Sequence, residues 1–191
     1  MLKNRVVVTG MGLFTPLGAD VAATWQAILA GQSSVAKVAH FDVSDLSCQI
    51  ASSVQNYDAL RYFTAKEARK IDPFIQYGLI AVKEAITDAS LAITELNARR
   101  IGVAVGSGIG GLSGIEDSHE TLLNVSPKRI SPFFLPSVLI NMLAGDIAIA
   151  YGLQGPNISV VSACTTGTHN IGLAARLIAS GDADVMIAGG S

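Results

Sequence analysis

Short apolar runs that stop on glycine or other small residues constrain the fold of this chain more than any other feature. Ile101-Gly102-Val103-Ala104-Val105 enters the glycine-rich segment 106–111, residues 158–162 enter Ala163-Cys164-Thr165-Thr166-Gly167, and residues 184–188 enter Gly189-Gly190. Runs of this length, apolar on consecutive positions, predict strands buried on both faces. A fourth, residues 5–8, stops at Gly10-Met11-Gly12. Helical patterns lie between them: 19–30, closed by Gly31; 66–71 and 74–89, with Pro73 allowed in a first turn; a helix from the glycine loop to about Leu123; then 138–151 and 164–180. Residues 33–55 read as an irregular insertion, and Pro127, Pro132 and Pro136 predict loop over 127–136. Strands alternating with helices predict an α/β fold, a mixed sheet flanked by helices in layers, across residues 1–191. No linker, low-complexity segment or internal repeat divides it.

Composition then removes whole classes of function. Hydrophobic residues make up 50% of the chain and charged residues 15%, so a membrane protein is the first reading to test. The longest apolar stretch, 133–150, is broken by Pro136, Ser137, Asn141 and Asp146. No window approaches the ~20 uninterrupted apolar residues of a spanning helix. The chain reads as soluble, with apolar surface that meets either a further half or a partner subunit. A net charge of −2 argues against general nucleic-acid binding. The start, Met1-Leu2-Lys3, is basic, but no long apolar region or small-residue cleavage site follows, so Cys48 and Cys164 are expected to be reduced and the chain cytoplasmic. The last apolar run stops just before Ser191, which suggests a chain cut from something longer.

Cys164 stands where a buried strand is expected to turn into a helix. The first N–H groups of a helix have no internal partners and carry the positive end of its dipole. A thiol there is easier to deprotonate, and the same N–H groups can hold the oxyanion of a thioester under attack. A buried inert cysteine fits the spacing equally well.

Residues 163–172, Ala-Cys-Thr-Thr-Gly-Thr-His-Asn-Ile-Gly, closely resemble the active-site segment of the type II β-ketoacyl-acyl-carrier-protein synthases, condensing enzymes of thiolase-like fold. The resemblance extends to Val6-Val7-Val8-Thr9-Gly10-Met11-Gly12, Phe74-Ile75-Gln76-Tyr77-Gly78, Gly106-Ser107-Gly108-Ile109-Gly110-Gly111, Ile130-Ser131-Pro132-Phe133-Phe134-Leu135-Pro136 and Gly181-Asp182-Ala183-Asp184-Val185-Met186. It implies an N-terminal half of a thiolase-like fold in which Cys164 takes an acyl group from an acyl carrier protein. A carbanion from decarboxylated malonyl-carrier then attacks the thioester in a Claisen condensation, as in fatty acid elongation. The family's two histidines and lysine belong to its C-terminal half, so the 191 residues alone are expected to lack full activity. His169 lies five positions past Cys164, rotated by about 140° and advanced about 7.5 Å, and reads as a core or packing residue. His40 and His119 read as structural or surface residues. No cofactor or metal is implied.

By the same resemblance Ile109, Leu112 and Phe134 match positions lining the acyl pocket, partly across a dimer interface, although core packing suits them as well. Lys66, Arg69 and Lys70 share one helix face at i, i+3 and i+4 spacing. With Lys128 and Arg129 they match a patch that docks the acidic carrier protein, where long-range attraction helps the encounter. A homodimer formed partly through residues 158–162 is expected.

Two rival readings come from other classes. Gly106-Ser107-Gly108-Ile109-Gly110-Gly111 satisfies the dinucleotide-binding Gly-x-Gly-x-x-Gly pattern, and Tyr62 with Lys66 mimics a reductase pair. The glycine motif comes about 100 residues into the chain with no acidic strand end ~20 residues later, so it marks tight turns instead. A non-catalytic chain-length subunit of polyketide systems lacks the cysteine that this chain has.

Overall fold

The computed structural model describes residues 4–191; Met1, Leu2 and Lys3, which form the basic start, lie outside the described residues. Helix α1 spans Val21–Leu29, with the Asp20 side chain accepting from the Ala23 N–H. Gly31, at φ +65°, turns the chain away after it. Strands β1 (Val35–Lys37) and β2 (Ile50–Ser52) pair antiparallel as a separate exposed hairpin. The insertion therefore holds more order than the sequence suggests. Helix α2 is a single turn, Ala65–Ala68, under a capping box of Thr64 and Glu67. Helix α3 runs Pro73–Asp88, with Pro73 in its first turn, where no N–H is needed, and Asp72 as its cap.

Strand β3 (Ile101–Gly106) is buried along its whole length. Helix α4 spans Leu112–Asn124, α5 Phe134–Val138 and α6 Met142–Tyr151. Strand β4 covers Asn157–Ile158, helix α7 Thr166–Ser180 and strand β5 Val185–Gly190. The three strands form a parallel sheet in the order β4-β3-β5, with Ile101 opposite Val185 and Val103 opposite Asn157. The expected α/β layering is borne out.

The side chains of β3 explain the layers. Ile101, Val103 and Val105 join Phe74, Ile75 and Val82 of α3 and Leu143, Ala144 and Ile147 of α6 in one core. Successive strand residues face opposite sides, so Gly102, Ala104 and Gly106 turn toward the other layer. There α7 packs against β3 and β5, and small residues let it come close. Burial of the large side chains supplies the drive for this sandwich, at about 25 cal/mol per Å² of apolar surface. Arg100 ties the starts of β3 and β5 together by donating to Asp184 at 2.7 Å and to the Gly181 carbonyl at 2.9 Å.

Four expectations need correction. Residues 5–8 form no ladder, and Val7 and Val8 are exposed, because among the described residues no strand lies beside them. The segment 127–136 is not all loop: a 3-10 turn covers Pro127–Arg129, and α5 admits Pro136 within its first turn. The helix expected over 138–151 begins only at Met142, since Leu139 is extended at φ −71°, ψ 132°. The strand expected over 158–162 stops at Ile158, because side chains of α7 take the polar backbone groups that a ladder would use.

Candidate active site

Cys164 sits in a single 3-10 turn, Ala163–Thr165, that delivers the chain from β4 into α7. It lies ahead of the helix and not within it, as residues 164–180 had suggested. Ala163 adopts φ +52°, a left-handed conformation that costs an L-residue about 1–2 kcal/mol. A strained residue beside a nucleophile, on a sharp strand-to-helix turn, is a recurring way to lift a reactive atom clear of the backbone. Cys164 is exposed and its thiol is free, so the sulfur is neither mid-helix nor walled off.

The turn is held from behind by α7. The Ser162 N–H donates to Thr166 Oγ1 at 2.9 Å. The Val160 N–H donates to Asn170 Oδ1 at 3.0 Å, and Asn170 Nδ2 donates to the carbonyls of Val160 and Thr166, both at 2.9 Å. Ser162 Oγ and His169 Nδ1 share a hydrogen bond of 2.6 Å. Asn170 is fully buried and Thr166 nearly so, which makes their bonds costly to lose. His169 is exposed, which corrects its reading as a core residue. Sequence reasoning missed this set. The spacing of Thr166, His169 and Asn170 at i, i+3 and i+4 was the available signal, since it puts all three on one helix face.

The glycine segment after β3 closes the other side of the turn. A Cβ on Gly106 would lie 2.7 Å from Ser159 Oγ and 2.8 Å from the Val160 carbonyl oxygen, and one on Gly108 would lie 3.2 Å from the Ala163 carbonyl oxygen. These glycines let two strand ends and the cysteine turn pack backbone to backbone. The Gly-x-Gly-x-x-Gly pattern is thus occupied by the chain itself.

The remaining candidates are less enclosed. Ile109 is 70% exposed and Leu112 51%, while Phe134 is half-buried at the start of α5. Two clefts among the described residues are lined by N-terminal segments such as 14–19 and 54–58 and by residues 37–40 and 51–55, and neither includes Cys164, Ile109, Leu112 or Phe134. Lys66 lies in α2, but that helix ends at Ala68, so Arg69 and Lys70 follow it in a turn and the expected single helix face is broken. Arg69 Nε bonds the Ala65 carbonyl at 3.0 Å. Lys70 Nζ lies 4.8 Å from the centroid of the Phe133 ring, a cation–π contact that brings this basic segment to the one holding Lys128 and Arg129, both exposed. His40 and His119 are exposed, with His40 edge-on to Phe41. Cys48 is a free, exposed thiol between the hairpin strands. No helix among the described residues is long and apolar enough to cross a membrane.

Residues 3–191 match the β-ketoacyl synthase N-terminal domain. The 3-oxoacyl-[acyl-carrier-protein] synthase 2 of Vibrio cholerae is 53% identical over 191 residues, covering 100% of this chain and 46% of that protein. The enzyme of the same name from Staphylococcus aureus is 43% identical over 189 residues, covering 99% of this chain and 46% of its own length. Among solved structures, a type II polyketide ketosynthase in complex with its acyl-carrier protein superposes with a TM-score of 0.84 at 29% identity, over 99% of this chain and 50% of that one. A β-ketoacyl synthase from Burkholderia phymatum gives 0.82 at 26% identity, over 96% of this chain and 46% of that one. The chain thus spans about half the length of the relatives it matches. Within that half the match is continuous from end to end: the chain belongs to the β-ketoacyl synthase family, as its N-terminal domain.

Proposed function

We propose that Cys164 is the acyl-accepting nucleophile of a 3-oxoacyl-acyl-carrier-protein synthase of the type II kind, which elongates acyl chains in fatty acid biosynthesis. The observation that carries this reading is the exposed thiol on a strained turn at the mouth of α7. The thiolate attacks an acyl-carrier thioester, the carrier thiol leaves, and the acyl group stays on sulfur. Decarboxylation of a malonyl group on a second carrier releases carbon dioxide and a carbanion. That carbanion attacks the acyl carbon, a carbon–carbon bond forms, and Cys164 is released as the thiolate. The Cys164 N–H, at the start of the helix, is one oxyanion donor. Residues outside this chain's 191 supply the groups that assist decarboxylation, so the isolated chain loads an acyl group more readily than it condenses.

Ile109, Leu112 and Phe134 line the acyl pocket in this reading. The exposure of the first two fits a wall completed by a second copy in a homodimer. Lys66, Arg69, Lys70, Lys128 and Arg129 dock the acidic acyl carrier protein, and the contact between Lys70 and Phe133 supports treating the two basic segments as one surface. Charge reversal at Lys128 and Arg129 should then weaken carrier binding more at low salt than at high salt. The enzyme works in the cytoplasm and uses no cofactor.

The direct test mixes the protein with an acyl-carrier thioester and reads the modified peptide by mass spectrometry. An acyl adduct on Cys164 is expected; an adduct on Cys48 instead, or none on either thiol, overturns the assignment.

A further inference from the structure

We propose that His169 is a positioning residue for Cys164, acting through its hydrogen bond to Ser162 as the outer latch of a three-point clamp. The proposal rests on the reading of Cys164 as the nucleophile. Thr166, His169 and Asn170 occupy one face of the first turn of α7, and each bonds back onto residues 160–162. Asn170 replaces the ladder partner that Val160 would have had in a longer strand, and Thr166 satisfies the Ser162 N–H. Those two are buried and belong to the folded core.

His169 differs from them. Its ring is exposed, so its removal opens no cavity and leaves no buried group without a partner. What it does hold is the Ser162 hydroxyl, at 2.6 Å, one residue before the left-handed Ala163 and two before the sulfur. Ala163 has no intrinsic reason to stay at φ +52°, since an alanine relaxes toward negative φ unless its neighbours forbid it. The Ser162 N–H is pinned by Thr166 and its carbonyl accepts from the Thr165 N–H at 3.2 Å, which leaves the hydroxyl as its remaining anchor. Releasing that anchor frees the turn to relax and carries the sulfur away from the helix N–H groups. A displacement of about 1 Å at a reacting atom is enough to cost up to about 100-fold in rate.

The test alkylates the protein with iodoacetamide and follows Cys164 and Cys48 separately by peptide mass spectrometry, so that Cys48 serves as an internal reference. His169→Ala and His169→Gln should slow Cys164 about tenfold relative to Cys48. His169→Asn should restore the rate to within about twofold, because an asparagine places a hydrogen-bonding atom where Nδ1 lies. Ser162→Ala removes the same bond from its other end, and the double variant with His169→Ala should be no slower than either single one. An unchanged ratio in His169→Ala, failure of asparagine to rescue, or additive effects in the double variant overturns the proposal. Alkylation needs no acyl carrier, so the expected pattern without acyl loading of Cys164 would sink the functional reading and leave the latch standing.

Discussion

Cys48 and Cys164 are both exposed free thiols, and exposure does not distinguish them. Their surroundings do. Cys48 lies in the loop of a small hairpin whose strands are exposed at every residue, and its own sulfur makes a weak 3.6 Å contact with the Ile50 carbonyl. Cys164 rides on a turn gripped by side chains of α7 on one side and by the glycine segment after β3 on the other. The difference teaches that the candidate site is a property of the backbone around the sulfur. A thiol on an exposed hairpin has few neighbours to fix it, whereas one on a clamped turn is held in place just ahead of a helix.

The largest expected contrast is chemical. Cys164→Ser should abolish formation of an acyl thioester, while Cys48→Ser should leave loading unchanged, both read by intact-mass measurement after mixing with an acyl carrier. Equal losses in the two variants would erase the distinction.

Backbone packing should give the next effect. Gly106→Ala places a methyl group against Ser159 and the Val160 carbonyl, and should destabilise the fold by about 3 kcal/mol in a denaturant melt. Retention of full stability would mean that the strand ends are not packed as closely as they stand here.

The third contrast sets two carboxylates against each other. Asp146, on α6, is partly buried with Oδ2 unpaired, and burial raises its carboxyl above the ordinary 3.8. The folded state therefore holds the proton more tightly than the unfolded one. Its contribution is fully present below the unfolded value and is lost as pH rises through the folded one. Asp146→Asn should then stabilise the protein by about 1 kcal/mol near neutral pH, with the gain fading as pH falls through the raised folded value and gone below 3.8. Asp42, in the insertion, is held below its ordinary value by hydrogen bonds from Ser44. Its contribution has the opposite sign, present above the unfolded value and lost as pH falls through the folded one, so Asp42→Asn should bring no gain at neutral pH. Melting curves across pH distinguish the two.

The smallest effect belongs to the hairpin. Ser52→Ala removes an exposed bond of 2.6 Å to Ser34 and should change stability by less than about 0.5 kcal/mol. A larger loss would mean that the hairpin is coupled to the sandwich.

Much of this architecture is legible in the order of residues. Ile101 to Val105 reads as a strand buried on both faces, and it is the centre of the sheet. Gly31 closes α1 and Pro73 opens α3, because dihedral limits are local. Cys164 also stands out from its neighbours in sequence, since small residues between an apolar run and a helical pattern mark a strand-to-helix turn.

Other features were settled only by contacts between distant parts of the chain. Whether residues 5–8 or 159–162 become strands depends on what accepts their backbone hydrogen bonds, and no local pattern says that Asn170 and Thr166 take those of Val160 and Ser162. His169 reads as a packing residue by its helical angle and stands exposed because its ring reaches back to Ser162. The sequence by itself determined which segments are apolar, where the chain must turn and that one cysteine lies at such a turn. Only the tertiary structure decided that Ala163 is left-handed and the turn clamped, because strain persists only where neighbours brought from elsewhere in the chain forbid its release.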